Sequence, residues 1–291
     1  MKKTAFLFSF ALFALVFTSW EWKKNQHPTL QKGEVIECLN METQQAYQLE
    51  ASTPAFANLH ITPLDVHSAD LTGNMINFEA ADGQPASAYF IPAKKKSNKW
   101  LIVIQEWWGL NNQIKMEADQ YHKDLGDMNV LAVDMYDGKV AATPDSAMKL
   151  MRGADMKRMT AIMQGAIKHA GTKANIYSVG WCFGGMWSLQ TAILAGPQAK
   201  GSVMYYGRPE TNMEKLKSIQ CDIIGFFGNK DQSPSPMMVD EFEKNMKEAG
   251  KNLNVNRYDA GHGFANPSNP SFNAAAKTDS YAKAIAFLKT H

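Results

Sequence analysis

The chain has 291 residues, 45% hydrophobic and 20% charged, with a formal net charge of +2. That is ordinary globular composition, and it is length enough for one large α/β domain; the near-neutral balance gives no reason to expect nucleic acid or another polyanion as a partner. Cys38, Cys182 and Cys221 make no disulfide framework, and their odd number leaves at least one free within the chain, with a Cys38–Cys221 bridge still open on arithmetic alone.

Lys2 and Lys3 precede an apolar run from Ala5 to Phe17, too short to span a bilayer and suited to a signal peptide over residues 1–19. The expected address is therefore export, periplasmic or secreted. Phe17-Thr18-Ser19-Trp20 lacks a clean small-x-small cleavage pattern, so an uncleaved membrane anchor is the alternative. The cleaved chain loses both lysines, becomes formally neutral and has no stable membrane contact. Residues 20–59 form an N-terminal extension of mixed polarity without a motif, and the main domain is expected over 60–291.

From Asn74 the pattern sharpens. Met75 to Ala80 alternates, Ala81-Asp82-Gly83 turns, and Ala86 to Ile91 runs β-like, which predicts an antiparallel hairpin. Lys94-Lys95-Lys96 reads as a solvated turn. Trp100 to Gln105 is a nearly continuous apolar strand, Asn112 to Gly126 a helix, and Asn129 to Met135 another apolar run. Pro144 to Ala170 is helical with a break near Gly153, and Ile176 to Gly180, Gly201 to Tyr206, Asp222 to Phe227 and Leu253 to Tyr258 are strands separated by helices, the last helix running from Phe272 to Lys289. Continuous apolar strands alternating with helices predict an α/β fold with a mostly parallel sheet covered on both faces. In such sheets ligands bind at the carboxyl ends of the strands.

Four strand exits deliver reactive residues: Glu106, Cys182, Asp231 and His262. Cys182 stands in Gly180-Trp181-Cys182-Phe183-Gly184-Gly185, the spacing of the strand-to-helix elbow in which a nucleophile is held on a strained turn. Alone, Cys182 reads as a buried thiol, Asp231 as a turn former and His262 as a surface histidine. Together they follow the nucleophile, acid, histidine order of an α/β-hydrolase triad. Glu106 lies between apolar stretches, where a carboxylate's proton affinity depends on its neighbours.

Gln105-Glu106-Trp107-Trp108-Gly109-Leu110-Asn111, the Cys182 elbow, Tyr205-Tyr206-Gly207, Gly228-Asn229-Lys230-Asp231 and Ala260-Gly261-His262-Gly263-Phe264-Ala265 resemble, in order, the motifs of the dienelactone hydrolase family. The resemblance runs from about Asn74 to the C-terminus and implies an α/β-hydrolase core, a Cys182–His262–Asp231 triad, and a Glu106 that contacts the thiol and helps control its ionisation. It also implies an oxyanion hole from the backbone N–H groups of Phe183 and Trp107. In that family two arginines hold a lactone carboxylate. Asn266 occupies the position of one, the other falls near Pro144, and Arg152 and Arg158 are displaced along the chain, so only Arg208 offers a substitute.

The expected activity is hydrolysis of a small-molecule ester, lactone or thioester through an acyl-cysteine, with no cofactor. Trp108 and Phe264, with Trp107 and Trp181, would wall the pocket. The alternative is an exported, non-catalytic binding module on the same fold. There is no Cys-x-x-Cys for redox work, and His60 and His67 lack the companions of a common zinc spacing, so no metal is expected.

Overall fold

The structure, a computed structural model, describes residues 42–57, 60 and 71–291. The expected signal segment 1–19, the extension as far as Met41, Cys38 and His67 lie outside the described residues. Among those described, no helix is long and apolar enough to cross a membrane.

Two short helices come first, α1 (Thr43–Ala51) and α2 (Pro54–Ala57). They are followed by β1 (Asn74–Glu79), β2 (Pro85–Ile91), β3 (Lys99–Ile104), α3 (Asn112–Leu125), β4 (Asn129–Val133), α4 (Pro144–Arg152), α5 (Met156–Ala170), β5 (Asn175–Trp181) and α6 (Phe183–Ala195). The chain ends with β6 (Ala199–Tyr205), α7 (Met213–Ser218), β7 (Asp222–Gly228), α8 (Pro236–Glu248), β8 (Leu253–Tyr258) and α9 (Ala274–Thr290). One eight-stranded sheet has the order β1-β2-β4-β3-β5-β6-β7-β8. The predicted hairpin pairs β1 with β2 antiparallel, β2 meets β4 antiparallel, and every later pairing is parallel. This is the mostly parallel α/β sheet that the continuous apolar strands predict.

Burial explains the strand composition. Leu101 to Ile104 on β3 and Val130 to Val133 on β4 are sealed on both faces. Such strands read as unbroken apolar runs, whereas edge strand β1 buries only Phe78. Helix α6 is buried along almost its whole length, its few polar side chains included: Gly185 brings its first turn onto the Tyr205 carbonyl and Gly207, against the end of β6. The break foreseen near Gly153 separates α4 from α5. There, the side chain of Asp155 caps α5 by accepting from the Lys157 N–H at 2.8 Å.

Helices α1 and α2 and His60 belong to the same compact unit as the sheet. Helix α1 is tied down along its length. Thr43 donates to the buried Glu210 at 2.6 Å, Glu50 pairs with Arg208 at 2.6 Å, and Gln48 donates to the carbonyls of Met151 and Ala154. Glu42 adds an ion pair with Lys215.

Candidate active site

Strand β5 enters a turn at Cys182 whose backbone has φ 55° and ψ −116°. A non-glycine residue at positive φ is strained and persists only where its surroundings fix it. The glycines on either side explain how: a Cβ on Gly180 would overlap the Gly184 carbonyl, and one on Gly184 would overlap the carbonyl of Ile104. Strand and helix therefore cross at backbone contact, with Cys182 at the apex and Phe183 as the first residue of α6. The first N–H groups of a helix have no intrahelical acceptor, which leaves the Phe183 N–H available to a ligand. Gly184 packs on the Ile104 and Gln105 carbonyls, so the Trp107 backbone lies at the neighbouring strand exit.

His262 follows β8 and Asp231 follows β7. The His262 Nδ1–H donates to Asp231 Oδ2 at 2.8 Å, and both side chains are almost wholly buried. Burial opposes the charged imidazole, but the Asp231 carboxylate and then the Cys182 thiol outweigh it, holding the His262 pKa well above its usual value. Its Nε2 is buried without a hydrogen-bond partner among the described residues. Cys182 is 2% exposed, so the elbow's apex is covered.

Glu106 is buried, and burial raises its pKa from 4.5 to about 7, against the lowering influence of His262 and of the Asn266 amide. Its Oε2 accepts from Asn266 Nδ2 at 2.9 Å. Asn266 in turn accepts from Gln113 Nε2 at 2.7 Å and from the Ser268 N–H at 2.8 Å, so its side chain is spent on Glu106 and on the loop. Trp107, Trp108 and Phe264 are buried. Phe264 packs edge-on to Tyr206, with ring centroids 5.3 Å apart, and Tyr206 lies 5.0 Å from the ring of His262.

Arg208 is not free. All four arginines of the chain are engaged: Arg208 with Glu50, Arg158 with Asp82 and Asp137, Arg257 with Asp240 and Glu243, and Arg152 with the Ser52 carbonyl.

Two residues at the centre come from the stretch that shows no motif in the sequence. The Tyr47 hydroxyl of α1 is 3.2 Å from Cys182 Sγ, and His60 Nε2 is 3.8 Å from it. His60 is fixed by its Nδ1–H, which donates to the Phe56 carbonyl at 2.8 Å, and by stacking on the Phe56 ring at 4.3 Å. Burial, and then His262, lower its pKa to about 3, so the ring is neutral and Nε2 carries a lone pair. The sulfur of Cys182 and one ring nitrogen each of His60 and His262 all lie within 4.8 Å of one another. The sequence offers no metal spacing here because its three members stand at positions 60, 182 and 262.

An eight-stranded, mostly parallel sheet with a strained nucleophile-type elbow and a His–Asp pair at neighbouring strand exits defines an α/β hydrolase. The chain belongs to the dienelactone hydrolase family, whose profile matches residues 86–291, and as a member it is a hydrolase of ester or lactone bonds. It is 27% identical to Protein usf of Aquifex pyrophilus over 233 residues, 75% of this chain and 99% of that protein. It is 28% identical to carboxymethylenebutenolidase 1 of Cupriavidus pinatubonensis over 231 residues, 73% and 95% of the two chains. Among solved structures, the dienelactone hydrolase-like promiscuous phosphotriesterase P91 from metagenomic libraries superposes with a TM-score of 0.63 at 21% identity, covering 75% of this chain and 98% of its own. That likeness concerns the fold.

Proposed function

We propose that Cys182 is the nucleophile of an acyl-cysteine hydrolase and that its substrates are uncharged at the acyl group. In this scheme His262 Nε2 takes the proton of Sγ or already holds it as an ion pair with the sulfur, while Asp231 accepts from Nδ1–H and steadies the charge on the ring. The sulfur attacks the carbonyl carbon, and the N–H groups of Phe183 and Trp107 receive the oxyanion. Collapse breaks the bond to the alcohol or thiol, which leaves with the proton from His262. Water then gives its proton to His262 and attacks the thioester, releasing the acid and restoring the thiol. Glu106, poised near neutrality, sets the charge beside the reacting centre.

The observation that carries this reading is the strained Cys182 elbow facing a His262 already bound to Asp231 at 2.8 Å. The alternative, a non-catalytic binding module, leaves that strain and the family's hydrolytic character without a purpose. The uncharged acyl group follows from the engaged arginines and from an Asn266 spent on Glu106, so no guanidinium offers the bidentate hold a carboxylate needs. The apolar run at the N-terminus supports export as the address. Fractionation of cells expressing the full chain tests that point, and kcat/KM over matched neutral and carboxylated esters tests the substrate. A preference for the carboxylated series would overturn it.

A further inference from the structure

Acyl transfer needs one histidine at the sulfur, yet two imidazoles meet there. We propose that Cys182 Sγ, His60 Nε2 and His262 Nε2 form a binding site for a divalent cation of the zinc class, which holds the nucleophile out of reaction while bound. In a tetrahedral zinc site with Zn–S near 2.3 Å and Zn–N near 2.0–2.1 Å, neighbouring ligand atoms stand about 3.3–3.6 Å apart. His60 Nε2 is already 3.8 Å from Sγ, and the sulfur and one ring nitrogen of each histidine lie within 4.8 Å of one another, so small side-chain shifts close the set.

The surroundings are those of a ligand set. Each donor has an outer partner that orients it. The Phe56 carbonyl accepts from His60 Nδ1–H, the Asp231 carboxylate accepts from His262 Nδ1–H, and the Tyr47 hydroxyl lies on Sγ. Metal-bound histidines nearly always show this second hydrogen bond, because it fixes the tautomer and raises the basicity of the other nitrogen. Both Nε2 atoms are thereby aimed inward, and His262 Nε2 is buried with no hydrogen-bond partner among the described residues. Thiolate with two imidazoles selects zinc or a similar borderline cation over magnesium or calcium, and a fourth position remains for water.

The proton count balances. Cys182 and His262 together carry one exchangeable proton, on sulfur or on Nε2, and the cation displaces it to solvent; His60 contributes none, since its proton sits on Nδ1. Bound, the sulfur shares its charge with the cation and His262 Nε2 is occupied as a ligand and cannot pass a proton, so acyl transfer is held off while the cation stays.

The test is titration of the full chain with Co²⁺, read by the sulfur-to-cobalt charge-transfer band, which reports the ligand set without turnover. One equivalent should saturate the band. Cys182→Ser and His60→Gln should lose it, with His60→Asn as a second change at that position, and Asp231→Asn should weaken binding by about 10–100-fold. Zn²⁺ should bleach the band and shield Cys182 from iodoacetamide in the parent protein but not in His60→Gln. A band undiminished by both His60 changes, or no band in the parent, overturns the site. Neither readout depends on hydrolysis, so either result leaves the acyl-cysteine reading to stand or fall separately.

Discussion

The hydroxyl of Tyr47 lies 3.2 Å from the sulfur of Cys182, although 135 residues separate them in the chain. A helix outside the family-matched region thus supplies a direct neighbour of the nucleophile position. Either atom can donate in this contact, and a hydroxyl that donates to a charged acceptor is worth about 1.5–3 kcal/mol, so Tyr47 would steady the sulfur in a reaction that charges it. Tyr47→Phe should slow iodoacetamide labelling of Cys182 about tenfold at neutral pH while leaving the thermal midpoint within a few degrees. Unchanged labelling would make Tyr47 packing alone.

Glu106 carries a pH signature of opposite sign to an ion-paired carboxylate. Its pKa rises from 4.5 to about 7 through burial first, so between those values the folded state holds a proton that the unfolded chain has lost. Stability therefore falls as pH rises through that window and levels off above it. Glu106→Gln should remove this slope, gaining on the parent by up to about 3 kcal/mol between pH 4.5 and pH 8. Denaturant melts of both proteins at the two pH values check it, and parallel pH curves would refute it.

The elbow tolerates no side chain two residues before or after Cys182. Gly184→Ala drives a methyl into the Ile104 and Gln105 carbonyls, which are backbone and cannot swing aside. The expected cost is about 3 kcal/mol, with a larger loss of kcat as the α6 start moves. A variant with parent stability and activity would mean that strand and helix pass less closely than described.

Arg208 should behave as an anchor of α1. Arg208→Ala is expected to leave the ratio of kcat/KM for neutral against carboxylated esters unchanged within about twofold, and to cost at most about 1 kcal/mol, as a partly exposed pair does. A tenfold shift in that ratio would return Arg208 to the substrate.

The sheet, the elbow and the positions of Asp231, His262 and Glu106 are legible in the sequence for one reason. Glu106, Cys182 and Asp231 each follow a continuous apolar strand, and His262 follows the shorter-patterned β8, Leu253-Asn254-Val255-Asn256-Arg257-Tyr258. Tyr47 and His60 carry no such signal. Helix α1 buries Thr43, Tyr47 and Ala51, a spacing of four that marks one face, but nine residues with Tyr47 as the one large buried side chain and Leu49 exposed are too little to stand out. His60 is a lone histidine whose partners at the site, Trp107, Cys182 and His262, lie far along the chain, so its place beside Cys182 needs the fold. The substitution at Asn266 is visible in sequence as a lost arginine, whereas its bond to Glu106 needs the fold.

The central claim is that Cys182 bears the acyl group. The most direct measurement is mass spectrometry of the protein quenched during turnover of a slowly deacylating aryl ester, with peptide mapping of the adduct. The account requires one acyl mass on the peptide that contains Cys182, absent from Cys182→Ala together with a fall in kcat of about 10³-fold or more. An acyl group on another residue, or hydrolysis by Cys182→Ala at the parent rate, would contradict it.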